Sequence, residues 1–149
     1  MFKHILLATD GSPASARAAQ LAVALAREHG ARLTALFVVD PYPYLGVGEA
    51  SAVGVQAYMS GAYAQAAHAH AEVAQLCAAG APVDLQPSRC ENASAAAAIV
   101  EAAQRDGASV IVVGTHGRTG FKRLMLGSVA GKVVAQSPVP VLVVPSEAA

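Results

Sequence analysis

Between Gly114 and Ser128 the chain runs Gly114-Thr115-His116-Gly117, then nine residues, then Gly127-Ser128. An apolar, β-branched run, Ser109-Val110-Ile111-Val112-Val113, leads into this stretch, and Val129 to Gln136 suit a short helix after it. Glycine lets a polyphosphate come close to the backbone and permits the positive φ of loops that turn N–H groups inward. A helix start adds unpaired N–H groups and the positive end of a dipole. The stretch therefore reads as a phosphate-binding loop, with Gly114, Gly117, Gly127 and Ser128 as its contact points. Ser128 has two readings, as an N-cap that satisfies the helix's own N–H or as a hydroxyl that joins the phosphate donors. A Walker A loop would end in Gly-Lys-Ser/Thr and a dinucleotide fingerprint would read Gly-x-Gly-x-x-Gly; the chain has neither.

Asp10 follows the apolar run Phe2 to Thr9 and precedes Gly11-Ser12-Pro13. Aspartate before glycine is ordinary turn chemistry, and it is also a carboxylate placed at a strand end where ligands bind. Arg118, Lys122 and Arg123 give the glycine loop local positive charge, either to steer a phosphate or as a solvated face, and Lys132 is a weaker candidate. His68 and His70 are two apart, a spacing that sends them to different sides of a helix, while His4 and His29 stand alone, so no zinc site is expected. No nucleophile elbow is present. The scattered glutamates Glu28, Glu49, Glu72, Glu91 and Glu101 read as surface charges.

The elements that must position these residues alternate strand and helix. Phe2 to Thr9 reads as a buried strand, Ser12 as the N-cap and Pro13 as the first residue of a helix running to about His29, and Gly30 as its stop. Leu21 and Leu25 are expected on the packing side of that helix. Arg32 to Val39 is a second strand, reached by a crossover long enough to make it parallel to the first. From Asp40 to about Ala57 prolines and glycines break the period, giving a long loop, either a surface insertion or a lid. Tyr58 to about Ala79 is an Ala-rich helix ending at Gly80, and Val83 to Arg89 is a weaker strand whose Pro87 suits a sheet edge. Ala93 to Arg105 follows as a helix with Ser94 in its first turn, then the central strand, the glycine loop, the short helix and a last strand, Val139 to Val144. Such alternation predicts an α/β fold, a doubly wound parallel sheet of five strands.

At 149 residues the chain is expected to form one domain. Its apolar fraction of 54% is inflated by alanine runs such as Ala95 to Ala98, and no run approaches the roughly 18 residues of a membrane span. A cytoplasmic protein is expected, with no membrane and no nucleic-acid partner, since ten basic and ten acidic residues cancel. Cys77 and Cys90 are expected to be free thiols.

The glycine spacing, the Asp10-Gly11-Ser12 turn, Phe37-Val38-Val39-Asp40 and the closing Ser137 to Val144 together resemble the universal stress protein family over nearly the whole chain. The resemblance implies the Rossmann-like sheet order 3-2-1-4-5, which puts strands 1 and 4 side by side and opens a ligand crevice where Asp10 and Gly114 end them. It also implies an ATP-binding, nucleotide-responsive module of the stress response, with ATP or another adenine nucleotide as ligand and Mg²⁺ as a phosphate counterion. By the same resemblance Gly117, Gly127, Ser128 and Val129 would donate to the phosphates and Gly114 would lie near the ribose. Val113 and His116 would line the pocket, and Ala8, Thr9 and Asp10 would face the nucleotide. The backbone of Val38 would recognise adenine. Ala8 departs from the proline frequent at that position, which changes a wall of the pocket and removes no donor. A homodimer through Val139 to Val144 is implied, in keeping with an apolar edge strand that needs covering. The alternatives are a weak ATPase or phosphoryl-transfer enzyme, with Asp10 and His116 as candidates, and a stress protein that binds no nucleotide and acts through dimerisation.

Overall fold

The computed structural model describes residues 1–41, 52–115 and 126–146. Among them the elements run β1 (His4–Ala8), α1 (Pro13–His29), β2 (Arg32–Val39), α2 (Ala52–Ala78), β3 (Asp84–Glu91), α3 (Ala95–Asp106), β4 (Val110–Gly114), α4 (Ser128–Gln136) and β5 (Val141–Val144). The five strands form one parallel sheet in the order β3-β2-β1-β4-β5. The expected fold class and strand order are both found.

The two central strands are apolar on both alternations because both faces of the sheet are covered. All five residues of β4 are buried, as are Ile5, Leu6 and Leu7 of β1. On one face Ile5, Leu7, Leu33, Val110 and Val112 pack beneath α1 and the C-terminal half of α2. On the other, Leu6, Leu36 and Ile111 pack beneath α3 and α4. A third, smaller cluster joins Phe37 and Val39 of β2 to Ala66 and Ala69 of α2.

Local chemistry explains most of the boundaries. Ser12 caps α1, its hydroxyl accepting from the Ser15 N–H at 3.3 Å, and Gly30 closes the helix in the left-handed region at φ 61°. Ser94 caps α3 in the same way and Gly107 closes it at φ 67°. The C-terminus of α2 lacks such a cap; instead the Arg27 guanidinium donates to the carbonyls of Leu76, Cys77 and Ala81 at 3.0–3.2 Å. In β3, the Asn92 N–H donates to Val39, so even-numbered residues turn their N–H groups toward β2 and Pro87 directs its missing donor at the open edge.

Several expectations are corrected. The helix expected from Tyr58 begins at Ala52, six residues earlier, with Gly54 inside its first turns. The last strand begins at Val141 instead of Val139, although pairing is already initiated by the Pro140 carbonyl, which accepts from the Ile111 N–H at 2.9 Å. In α1 the packing face is alanine, with Ala18, Ala19, Ala22, Val23 and Ala26 buried, while Leu21 remains 37% exposed and only Leu25 touches the core. Small side chains let α1 lie close to the sheet, and that rotation turns Leu21 outward beside Leu142 to Pro145. Cys77 is buried and Cys90 half-buried, and both are free.

Candidate functional site

The order of the sheet puts β1 and β4 next to each other, and the connections after them leave on opposite faces. In such a fold the crevice at the strands' carboxyl ends is the place for a ligand. A cavity of about 560 Å³ opens there, within the range of small-molecule sites. Ala8, Thr9 and Asp10 line it from the end of β1, Val38 from β2, Val113 and Gly114 from β4, and Gly127, Ser128 and Val129 from the start of α4. The fold thus gathers these nine positions, from four separate parts of the chain, onto one cavity. His116 and Gly117, with Arg118, Lys122 and Arg123, lie outside the described residues.

At the end of β1, turn chemistry shapes the floor. The Thr9 N–H donates to the Leu36 carbonyl at 3.0 Å, the last rung between β1 and β2. Asp10 Oδ1 accepts from the Ser12 N–H at 2.9 Å, and Thr9 Oγ1 accepts from the Gly11 N–H at 3.2 Å. Asp10 therefore performs the turn role with one oxygen, and among the described residues nothing holds Oδ2. Gly11 is needed twice over: its φ is +73°, and a Cβ placed there would lie 3.0 Å from the Ala69 Cβ of α2.

Across the cavity, α4 begins differently from α1 and α3. Its N-cap is Gly127, not Ser128, and no side chain caps it. The Gly127 N–H is held by the Thr115 carbonyl at 2.7 Å, and the Gly131 N–H closes the first helical turn onto the Gly127 carbonyl at 2.9 Å. Between them the N–H groups of Ser128, Val129 and Ala130 have no acceptor among the described residues, and all three residues line the cavity. Ser128, at the first helical position, has an exposed hydroxyl that is spared capping duty. Gly127 has φ −59° and Gly114 is extended as the last residue of β4, so neither uses the positive φ expected of the glycine loop. Absence of a side chain at the cavity wall is what glycine supplies here.

Opposite this polar end, β2 outruns β1. Arg32 donates to Lys3 and Leu36 accepts from Thr9, so even-numbered residues of β2 direct their backbone groups toward β1. Ala8, the last residue of β1, pairs with Leu36. The N–H and C=O of Val38 therefore face the space that β1 has left, one donor and one acceptor side by side at the cavity edge.

Sequence reasoning missed Ser15, Tyr58, Gln65 and Ile99, which also line the cavity. Ala57, Gly61 and Gln65 recur every four residues on α2, a spacing that marks one helix face without saying what that face meets. Ile99 doubles as a core residue, 2% exposed, and carries no separate signal. Among the described residues no group of three or more His, Cys, Asp or Glu is placed to hold a metal ion, and no helix is long and apolar enough to cross a membrane.

The family model of the universal stress protein family matches residues 1–145, and the chain belongs to that family. Curated relatives include a universal stress protein of Thermus aquaticus, 37% identical over 97% of this chain and 99% of its own length. Another, from Methanocaldococcus jannaschii, is 35% identical over 97% of this chain and 82% of the relative. Among solved structures, the universal stress protein UspA of Lactobacillus plantarum superposes with a TM-score of 0.79 at 28% identity, covering 95% of this chain and 97% of that one. A universal stress protein in complex with cAMP shares the fold at a TM-score of 0.69 and 24% identity, covering 98% of both chains.

Proposed function

We propose that this protein binds an adenine nucleotide, ATP foremost, in the cavity at the ends of β1 and β4, and acts by carrying it rather than by turning it over. The observation that carries the reading is the uncapped start of α4. Its three N–H groups and its dipole address the cavity without a protein acceptor among the described residues, the donor set that an anionic phosphate needs. The phosphates would lie on Gly127, Ser128 and Val129, joined by Gly117 as the family resemblance implies, with the Ser128 hydroxyl as a further donor. Adenine presents a ring nitrogen acceptor beside an amino donor, the complement of the Val38 N–H and C=O. The same fold holding cAMP in another universal stress protein makes the adenine nucleotides the ligands to test. Mg²⁺ would accompany the phosphates as a counterion, supplying charge neutralisation.

Titration of the purified protein with ATP tests the reading, together with identification of any nucleotide that co-purifies. Gly127→Val puts a branched side chain at the phosphate end and should abolish the thermal shift that ATP produces. Unchanged ATP binding by a folded Gly127→Val protein would remove the phosphates from this position.

We further propose a homodimer through β5. The two edges of the sheet differ: β3 carries Asp84, Pro87, Arg89 and Glu91, devices that discourage pairing, whereas β5 is Val141-Leu142-Val143-Val144 without a charge. Leu21, 37% exposed, extends the apolar surface beside that edge. A two-fold pairing would cover both copies of β5 and leave the cavities open.

A further inference from the structure

The cavity walls point to a residue that selects the base. A ring that hydrogen-bonds to the Val38 backbone lies in the plane of the sheet, in the lane that β1 vacates after Thr9. Its two flat faces then look toward the two helix layers. On the α3 side the wall is Ala95 and Ile99; on the α2 side it is Tyr58, with Ala57 and Gly61 too small to fill the space beside it. A Cβ built on Gly61 meets nothing within 4 Å, so the space beside Tyr58 is open; Tyr58 is the aromatic side chain of that wall, and Gln65 lines it two turns further along α2. Its position is set from both ends: α2 carries its backbone, and its hydroxyl donates to the Asp40 carbonyl at 2.7 Å, two residues beyond Val38. Tyr63, five residues further along α2, holds the same stretch of helix against β3, its hydroxyl donating to Glu91 and its ring lying under the Arg89 guanidinium at 3.9 Å.

We infer that Tyr58 is a specificity-determining residue, its ring covering one face of the bound base so that a purine, with the larger face, is retained over a pyrimidine. This rests on the adenine-nucleotide reading above. Aromatic contact of this kind is worth enough per base to change affinity about 5- to 150-fold. The hydroxyl's part is to hold the ring in place, a lesser contribution than the ring itself.

The test compares ATP with CTP, which carry the same phosphates, on the wild type, Tyr58→Phe and Tyr58→Ala by calorimetric titration. Tyr58→Ala should weaken ATP binding about 5- to 150-fold and CTP binding less, so that the ATP to CTP preference falls. Tyr58→Phe keeps the ring and should lose less than about tenfold for either nucleotide, the most that one neutral hydrogen bond within the protein supplies. Alanine is a good helix former and Tyr58 is half-exposed, so both variants should stay folded, with the unliganded melting temperature lowered by a few degrees for loss of the bond to Asp40. A Tyr58→Ala protein that binds ATP as the wild type does, or that loses ATP and CTP equally, overturns the inference and leaves the nucleotide reading standing. A wild type that binds no ATP overturns both.

Discussion

Gly11→Ala should destabilise the fold through two separable terms, and a double-mutant cycle with Ala69→Gly can pull them apart. The first term is conformational: Gly11 sits at φ +73°, and holding an L-residue in the left-handed region costs about 1–2 kcal/mol. The second is steric. The new Cβ would lie 3.0 Å from the Cβ of Ala69, which is 1% exposed and pressed between α2 and the sheet. Overpacking of such a site costs about 1–3 kcal/mol, for a total of about 2–5 kcal/mol. Each kcal/mol lowers Tm by about 2–4 °C in a chain of this length. Ala69→Gly removes the opposing methyl, at a cost of its own of about 1 kcal/mol in helix propensity. In that background Gly11→Ala should cost only the conformational 1–2 kcal/mol, roughly. Urea denaturation of the four proteins gives the cycle. A coupling energy below about 0.5 kcal/mol would refute the steric argument, and a neutral Gly11→Ala would refute both. The turn concerned fixes Asp10 and Thr9 at the cavity, so the stability measurement also reports on what shapes the site.

Three further outcomes follow from the structure. Leu142→Asp, placing a charge in the middle of β5, should shift the mass measured by light scattering from dimer to monomer; a wild type already monomeric at micromolar concentration would contradict the proposed pairing. Burial pushes the thiols of Cys77 and Cys90 above their ordinary values, so both should react with a disulfide reagent more slowly than a free thiol, and Cys77 only as fast as the protein opens. The Arg105 guanidinium, hydrogen-bonded to Asp106 at 2.9 Å, holds that carboxyl below the usual range. A depressed folded value means a contribution complete above the unfolded value near 4 and lost as pH falls through the folded one. The stability gap between wild type and Asp106→Asn, from urea midpoints, should therefore be constant from about pH 5 to 8 and close below about pH 4.

The strands and their order of appearance could be read from sequence because runs such as Val110 to Val113 are apolar on both alternations, which only a doubly covered parallel sheet requires. Ser12 marked its helix start for a similarly local reason, a capping residue with Pro13 directly behind it, whereas Ser94, expected inside the first turn of a helix from Ala93, is the cap itself and α3 begins at Ala95. At Gly127-Ser128 two candidates stand together, and local chemistry cannot choose between them; the structure puts glycine at the cap, which frees Ser128. The start of α2 was hidden because Gly54 and the preceding prolines and glycines weaken any helical period. The face of α1 was misjudged for a tertiary reason: leucine burial lost to the closer approach that an alanine face permits. Nine of the candidate site residues share the cavity because strand ends and helix starts are sequence-local features. Tyr58, Gln65 and Ile99 belong to helix faces, and whether a face meets core or cavity is decided only by packing.

The central claim is that a nucleotide's phosphates complete the start of α4. Backbone amide shifts of the ¹⁵N-labelled protein, recorded while ATP is added, test this directly. The account predicts large, saturable shifts at the N–H groups of Ser128, Val129 and Ala130, together with Val38 at the base end, and little change along β3. Shifts that leave the α4 amides in place while ATP binds elsewhere, or no shifts at millimolar ATP, would contradict it.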